Sequence, residues 1–426
     1  MITYYWPPGS SPGVQRWLKL IKELCRRSYE VVVFTVEKPY VPAIDYSLEK
    51  DVPSEVTVIK TPSYEPTSMY NLLRGRSGRQ SQVGLGDIKE KKGAVNLVAK
   101  YLRSNVFIPD AKIGWYLLTR KRLASLIKDY NIDIVVSTGP PHTAHLMAKQ
   151  LQKATNVKWV ADFRDPWVGV YYDQYLNRSK AAIRKNESLE RQVVLSADQV
   201  ITVSDGQKRE LLKYRKDISV ILNGYDVEDI PSVQARKTDK FILRYTGNLK
   251  ASQNVPALWS AIAKLAKEEE DFDFDFRLSL VGNISNEVLA DLDYFGIQHL
   301  VEVSDFVPHH DAIRLMIDAN LLWLPIPQSE DNENIITGKI FEYLASATPI
   351  LSVGPTMGDA SAILKSCDRD PMQEYQDEDS IEEVIRKYFN LWKKNSQMQF
   401  KHKGDLHKRY SRSDQAETLH KILSQL

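Results

Sequence analysis

Short apolar runs alternate along this 426-residue chain with helical segments, and polar, glycine-rich turns connect them. Residues 1–5 end a predicted strand, residues 7–13 form a turn, residues 14–24 have helical periodicity and residues 31–34 form a buried strand. A strand, loop, helix and second strand in this order are typical of a doubly wound parallel sheet. The pattern therefore predicts an α/β fold.

The same pattern starts a second time after a polar stretch in the middle of the chain. Residues 241–246 read as a strand, and a tight turn and a helix over 255–265 follow. A chain of 426 residues is also too long for one ordinary hydrophobic core. We predict an N-terminal domain over 1–232, a C-terminal domain over 233–408, and a last helix over 409–426 that packs on the N-terminal domain.

Composition excludes several classes of protein. The formal net charge of +2 gives no general reason to expect nucleic acid as a partner. Cys25 and Cys367 are the only two cysteines and match no metal-ligand spacing, which favours a reduced, cytoplasmic protein. No apolar run reaches the roughly 18 residues of a membrane span, and the N-terminus lacks the basic region of a signal peptide.

The segment 337–353 combines helical spacing with a following β-rich run over 350–353. Gly338 and Lys339 fall at the predicted start of this helix, where free N–H groups and the helix dipole favour an anion. Glu342 lies one turn further on. By itself, this acid fits either a functional carboxylate or an exposed charge on a helix that packs in the core.

Polar groups also follow predicted strands in the N-terminal half, where open α/β sheets collect their functional residues. His142 lies at such a strand end, whereas His145 falls inside the next helix and reads as structural. Arg164 and Asp165 follow another strand, either as a self-contained ion pair or as the wall of an acceptor pocket. The loop from Gly9 to Gly13 would allow a ligand close to the backbone, and it would also suit a plain turn.

Basic residues dominate two successive segments. Residues 74–93 contain six Lys or Arg with Gly and Ser throughout, which predicts a mobile basic loop. Over 97–122, aromatic and basic residues are interleaved. This pattern fits an anionic membrane surface or a lipid-phosphate acceptor, and it equally fits a solvated face whose aromatic residues lie in the core.

The run Asp271-Phe272-Asp273-Phe274-Asp275-Phe276 has the Asp-x-Asp spacing of some metal sites. Strict alternation would place all three Phe on one face of a strand and all three Asp on the other. We therefore predict a strand with one charged face and no metal.

Six motifs occur in an order that resembles a known family, across essentially the whole chain. They are the Pro-Pro-Gly-rich first loop, Asp162-Phe163-Arg164-Asp165-Pro166-Trp167, Val200-Ile201-Thr202-Val203-Ser204, Leu222-Asn223-Gly224-Tyr225-Asp226, Tyr245-Thr246-Gly247-Asn248-Leu249 and residues 339–351. Together they resemble the retaining, nucleotide-sugar-dependent glycosyltransferases of the GT-B fold that carry a Glu-x7-Glu motif, the family 4-like group.

The resemblance implies two Rossmann-like domains facing across a cleft, with the donor nucleotide on the C-terminal domain. It assigns Glu342 to the ribose hydroxyls, and a carboxylate can accept from both. The first Glu of the motif is Asn334 here, which lacks the charge. The other residues that the resemblance places on the donor are Gly247, Asn248, Val307, Ile335, Ile336, Thr337 and Gly338.

A second departure concerns the diphosphate. The family commonly has an Arg and a Lys near Gly247-Asn248 and Asn254, and neither is present at these positions. We therefore expect Lys339 to stabilise the leaving diphosphate and His142 to shape the sugar side. Residues Gly9, Gly13, Arg164 and Asp165 would face the acceptor. The resemblance implies no metal and no cofactor other than the nucleotide-diphosphate sugar, which is the donor substrate.

The resulting prediction is a retaining glycosyltransferase that builds a surface polysaccharide or glycolipid from a nucleotide sugar. It would act in the cytoplasm or at the cytoplasmic membrane face on a glycan or lipid-linked acceptor, without nucleic acid. Two alternatives stay open. The departures from the motif fit a non-catalytic partner subunit, and the same fold also serves sugar-nucleotide epimerases.

Overall fold

The computed structural model describes residues 1–39, 41, 44–63, 101–169, 178–231, 238–394 and 401–426. The predicted basic loop over 74–93 lies outside these residues. The chain divides into two units, each with its own core: Met1–Leu222 together with Gln415–Leu426, and Asn223–Asp414.

The N-terminal unit contains parallel strands that Ile2 joins into one sheet. Ile2 forms parallel bridges with Phe34 on one side and Ser137 on the other, so the strand order reverses beside it. A two-stranded part has the order β1-β2 and a four-stranded part the order β3-β4-β5-β6. The strands are Val32–Val36 (β1), Thr57–Thr61 (β2), Ile134–Gly139 (β3), Lys158–Phe163 (β4), Gln199–Thr202 (β5) and Ile218–Val220 (β6).

Helices connect these strands and bury their apolar faces. Ser11 caps the first helix by accepting from the backbone N–H of Val14, and Ser179 and Ser204 cap later helices in the same way. The helices of this unit are Pro12–Arg26 (α1), Ile113–Asp129 (α2), Thr143–Thr155 (α3), Lys180–Ser196 (α4) and Asp205–Leu211 (α5).

The C-terminal unit has a five-stranded parallel sheet of order β11-β10-β7-β8-β9. Its strands are Phe241–Thr246 (β7), Phe276–Val281 (β8), Val301–Ser304 (β9), Leu321–Pro325 (β10) and Ile350–Val353 (β11). Its helices are Pro256–Glu268 (α6), Glu270–Asp275 (α7), Asn286–Tyr294 (α8), His309–Asp318 (α9), Lys339–Ala345 (α10), Asp359–Ser366 (α11) and Glu378–Lys394 (α12). The last helix, Arg412–Leu423 (α13), begins in this unit and belongs to the N-terminal unit from Gln415 onward. The predicted second β-loop-α unit is present.

The units divide at 222/223 and 414/415, whereas the sequence places these limits at 232/233 and 408/409. Backbone pairing explains the difference. Tyr225 donates to the carbonyl of Tyr410 and accepts from the N–H of Arg412, which keeps both connecting segments in the C-terminal unit. From Gln415 onward the chain joins the N-terminal unit, where Leu419 packs in one core cluster with Trp17 of α1.

The alternating Asp/Phe run is helical over Glu270–Asp275 and becomes a strand only at Phe276. The prediction of a strand through this run was therefore wrong. Phe272 and Phe276 are fully buried and their rings stack 4.5 Å apart, while Phe274 is 69% exposed. Packing of Phe272 in the core therefore favours a helix here, although the two-residue periodicity is typical of a strand.

Candidate functional site

The strand order of the C-terminal sheet reverses between β7 and β10. From β7 the chain continues to β8 and β9 on one side, while β10 and β11 extend the sheet on the other. The loops that leave the carboxyl ends of β7 and β10 therefore diverge, and open α/β sheets bind ligands in the crevice that this reversal creates. Gly247 directly follows β7, and residues 326–338 follow β10.

Two glycines bring the backbone and Lys339 close together at this point. Gly247 has a φ of +108°, and a Cβ on it would lie 2.9 Å from Cε of Lys339. Gly282 has a φ of +121°, and a Cβ there would lie 2.5 Å from the carbonyl oxygen of Gly247. Glycine meets both requirements because it tolerates positive φ and has no side chain. The sequence-predicted pair of Gly247 and Lys339 is thus brought into contact.

The Lys339 side chain is half-buried and lies over an aromatic ring, with Nζ 5.0 Å from the ring centre of Tyr245. Burial lowers the pKa of Lys339, the Glu342 carboxylate opposes this effect, and the Lys250 ammonium adds to it. A cation that has lost part of its hydration is stabilised by a nearby anion. This environment suits a ligand that carries phosphate charge.

Glu342 lies one turn after Lys339 on α10 and has a partner that the sequence reasoning missed. Its Oε1 accepts a hydrogen bond from Nε2 of His309 at 2.9 Å. His309 is the first residue of α9, and Val307, another predicted donor residue, precedes it by two positions. The signal in the sequence was the Pro308-His309-His310 run, which three residues separate from β9, although nothing in that run indicates contact with residue 342.

Side chains fix the loop that joins β10 to α10. Asn332 donates to the hydroxyl of Tyr375 at 3.0 Å, and that hydroxyl donates to the carbonyl of Ile326 at 2.9 Å. Asn334 ends a short 3-10 turn and is half-buried, as are Ile335, Ile336 and Thr337. The Thr337 hydroxyl is buried without a hydrogen-bond partner among the described residues.

Asn254 and Asn248 differ in how their amides are used. Asn254 donates to Asp291 and accepts from the indole of Trp259, both at 2.7 Å, so its amide is used in hydrogen bonds within the protein. Asn248 is exposed next to Gly247 and accepts from Asn283 at 3.0 Å. The Asn248 side chain is therefore exposed, whereas that of Asn254 is half-buried.

A buried polar network organises the carboxyl ends of β3 and β4 in the N-terminal unit. The fully buried Asp162 accepts from Arg16 at 3.1 Å, from the indole of Trp17 at 2.6 Å and from the hydroxyl of Thr138 at 2.7 Å. These hydrogen bonds pair the buried carboxylate with one cation and two neutral donors, which offsets the cost of removing its charge from water. Asp162 therefore anchors α1 to β4 beneath the first loop.

Arg164 is held against the Gly13 backbone by the same network. Its Nε donates to Thr138 at 2.8 Å and its Nη2 to the carbonyl of Pro140. A Cβ on Gly13 would overlap Nη1 of Arg164, at 1.4 Å, so a side chain there would displace the guanidinium from this position. Burial lowers the pKa of Arg164, and Asp165 opposes the shift.

The remaining predicted residues of this half lie in different surroundings. Asp165 is exposed, and Gly9 pairs with Ile44 in an antiparallel bridge. His142 is buried and its ring stacks on Trp167 at 4.5 Å. Burial holds the pKa of His142 well below its usual range. These contacts are packing contacts, and a role for His142 on the sugar side stays a prediction.

His145 is fully buried inside α3, where Ser137 lies 2.8 Å from its Nδ1. Its structural role was predicted from its position in the helix. In the part of the chain that the structure describes, no group of three or more His, Cys, Asp or Glu could hold a metal ion. None of the described helices is long and apolar enough to cross a membrane.

Comparison with solved structures identifies the class of fold. A sucrose-phosphate synthase from Thermosynechococcus elongatus superposes with a TM-score of 0.62 at 13% identity, covering 100% of this chain and 97% of that one. A glycosyltransferase from Rickettsia africae ESF-5 superposes with a TM-score of 0.59 at 15% identity, covering 99% of this chain and 96% of that one. WaaG, a glycosyltransferase involved in lipopolysaccharide biosynthesis, superposes with a TM-score of 0.55 at 15% identity, covering 98% of both chains. At these identities the likeness establishes the fold, which is that of the GT-B glycosyltransferases.

The family model of Glycosyltransferase Family 4 matches residues 13–229, just over half of the chain. The protein therefore belongs to Glycosyltransferase Family 4. No curated protein sequence matches it.

Proposed function

We propose that this glycosyltransferase takes its sugar from a nucleoside-diphosphate donor held by the C-terminal unit, and transfers it with retention of anomeric configuration. One observation carries the proposal. Lys339 lies against Gly247 where the strand order reverses, and Glu342 follows one turn later on the same helix. A partly desolvated ammonium and a carboxylate in this arrangement match a diphosphate joined to a ribose.

The proposed chemistry uses charge stabilisation rather than a metal. The bond between C1 of the sugar and the phosphate oxygen breaks through an oxocarbenium-like state, and its electron pair leaves on the diphosphate. The Lys339 ammonium stabilises that charge. The acceptor hydroxyl attacks C1 from the face that the diphosphate leaves, and its proton passes to the departing phosphate. Configuration is therefore retained.

We assign donor contacts to the loop between β10 and α10. Asn334, the backbone of Ile335 and Ile336, and the unpartnered hydroxyl of Thr337 would bind the transferred sugar. Asn334 supplies hydrogen bonds without the charge of a carboxylate. The acceptor would approach Gly13 and Arg164 in the N-terminal unit, where a guanidinium fixed by Thr138 is available to a polar group.

We further propose a lipid-linked or membrane-bound acceptor, reached from the cytoplasmic face. Helix α2 exposes Leu117 and Leu118 beside the exposed residues Arg120, Lys121 and Arg122. Basic and apolar side chains together favour anionic lipid surfaces. Sedimentation with anionic vesicles at low salt should capture the protein, and Arg120/Lys121/Arg122→Glu should abolish capture. Unchanged partitioning would remove the membrane from the proposal.

Two substitutions test the donor site. We expect Lys339→Ala to lower turnover about 10²-fold or more while nucleoside binding changes little, because its charge acts on the leaving diphosphate. Glu342→Ala should weaken nucleoside diphosphate binding about tenfold or more through loss of a charged hydrogen bond. Thermal shift with nucleosides and the rate of nucleoside diphosphate release measure the two effects.

Lys250→Ala is the matched control, since Lys250 is an exposed cation near the same turn. Equal losses of binding and turnover in Lys339→Ala and Glu342→Ala would contradict the division of roles. A wild-type protein that neither binds nucleoside diphosphates nor cleaves nucleotide sugars would instead be a non-catalytic member of the family.

A further inference from the structure

His309 and Glu342 form a close pair on two different helices of the C-terminal unit. The Nε2 atom of His309 lies 2.9 Å from Oε1 of Glu342, and its Nδ1 lies 4.0 Å from Oδ2 of Asp229. We propose that His309 is a positioning residue for the donor: it holds one oxygen of Glu342 and leaves the other to accept from a single ribose hydroxyl. This inference rests on the proposed role of Glu342.

The hydrogen-bonding capacity of the carboxylate limits what Glu342 can accept. An ionised carboxylate only accepts, so Nε2 of His309 must carry the hydrogen in this pair. A glutamate with both oxygens free can accept from two ribose hydroxyls. With Oε1 directed at the imidazole, Oε2 is the oxygen with full capacity for the ligand. Recognition of the ribose should therefore depend strongly on one hydroxyl and weakly on the other.

The location of His309 gives it this role without removing Glu342 from solvent. It begins α9, directly after the turn that follows β9, while Glu342 belongs to α10. The His309 side chain is 37% exposed and that of Glu342 is 23% exposed, so a ligand can still reach the carboxylate. A bond between two helices fixes the rotamer of Glu342 better than solvent does, which lowers the entropic cost of binding.

The next residue supplies a matched control. His310 is also on the first turn of α9, but its side chain is 79% exposed and lies 3.6 Å from Asp311 rather than from Glu342. Replacement of either histidine changes the composition of the helix start equally. Only His309 should affect the way in which the ribose is recognised.

The experiment compares ribonucleotides with their deoxy forms. The probes are UDP, GDP and ADP with their 2′-deoxy and 3′-deoxy analogues, and affinity is measured by calorimetry on the full chain. The variants are His309→Ala, His309→Asn, His309→Gln, His310→Ala, Glu342→Ala and the double variant His309→Ala/Glu342→Ala. The Asn side chain is too short to place a donor where Nε2 of His309 lies, whereas the Gln side chain can place its amide N–H near that atom's position.

In the wild-type protein, loss of one hydroxyl should weaken binding about tenfold or more, and loss of the other less than about threefold. His309→Ala and His309→Asn free Oε1 for the second hydroxyl and should bring the two losses within about threefold of each other, whereas Glu342→Ala should bring both losses below about threefold. The double variant should resemble Glu342→Ala alone, because both residues act through one contact. His309→Gln and His310→Ala should keep the wild-type ratio.

A wild-type ratio that persists in both His309→Ala and His309→Asn would overturn the inference, as would an equal loss in His310→Ala. A purely structural role of His309 would lower the affinity for all analogues alike and leave the ratio unchanged. If the wild-type protein binds none of the three ribonucleotides, the proposed function itself fails. If it binds them and Glu342→Ala leaves the ratio unchanged, the ribose contact of Glu342 fails.

Discussion

At the scale of single residues, burial sets the charge behaviour of several side chains. It lowers the pKa of Lys339 and of Arg164, the two cations that we assign to the donor and the acceptor. It also acts on Glu190, which is 2% exposed on α4 and lies away from both assignments. The effect on Glu190 is large enough to give a pH-dependent stability.

Burial raises the pKa of Glu190 from 4.5 to about 7, although the Lys213 ammonium, 3.9 Å away, opposes the shift. Between these pH values the unfolded chain ionises the carboxyl while the folded protein keeps the proton. This group therefore stabilises the fold below pH 4.5, and the contribution is lost as the pH rises through about 7. Above this pH, Glu190→Gln should therefore raise the free energy of unfolding relative to wild type, by at most about 3 kcal/mol.

Unfolding by denaturant at pH 5 and pH 8 measures this effect. The free energy of unfolding of Glu190→Gln minus that of wild type should be larger at pH 8 than at pH 5. Glu187→Gln is the control, because Glu187 is exposed on the same helix. A pH dependence of Glu190→Gln equal to that of wild type would refute the assignment.

At the scale of elements, the sequence predicted α10 and β11 from their spacing, together with Lys339 and Glu342 on the helix. It missed His309 because contact between α9 and α10 depends on tertiary packing, which local periodicity does not contain. It also assigned Phe272 to a strand. Two-residue alternation is typical of a strand with one buried face, but here the same sequence pattern forms a short helix with one fully buried ring.

A pair of substitutions in α7 tests this packing. Phe272 is fully buried, stacks on Phe276 and meets Phe389 edge-on at 4.9 Å. Phe274 is exposed, with the Lys240 ammonium 3.5 Å from its ring centre. Phe272→Ala should lower the free energy of unfolding by about 3–5 kcal/mol. The matched Phe274→Ala should cost less than about 1 kcal/mol, since its ring makes an exposed cation–π contact.

Denaturant melts of both variants provide the comparison. A strand with all three rings on one buried face would predict similar losses for Phe272→Ala and Phe274→Ala. Similar losses would therefore contradict the observed helix.

At the scale of the whole molecule, the sequence predicted two Rossmann-like halves because each half begins with the same β-loop-α pattern. It placed the first division at residue 232, and the units divide at 222/223. The pairing of Tyr225 with residues 410 and 412 joins segments nearly 200 residues apart, so no local pattern reveals it. Similarly, the sequence marked Asn254 only as a departure from the family pattern and His142 only by its place at a strand end, whereas their contacts with Trp259 and Trp167 became visible only in the structure.

The central claim is that the C-terminal unit holds a nucleoside-diphosphate sugar with Lys339 at the leaving group. The rate of nucleoside diphosphate release from a panel of nucleotide sugars tests it most directly, with the wild-type protein and Lys339→Ala compared at matched stability. We predict slow release from at least one donor by the wild type, and a release rate lower by about 10²-fold or more in Lys339→Ala. Release at the wild-type rate by Lys339→Ala, or no release from any donor by the wild type, would contradict the claim.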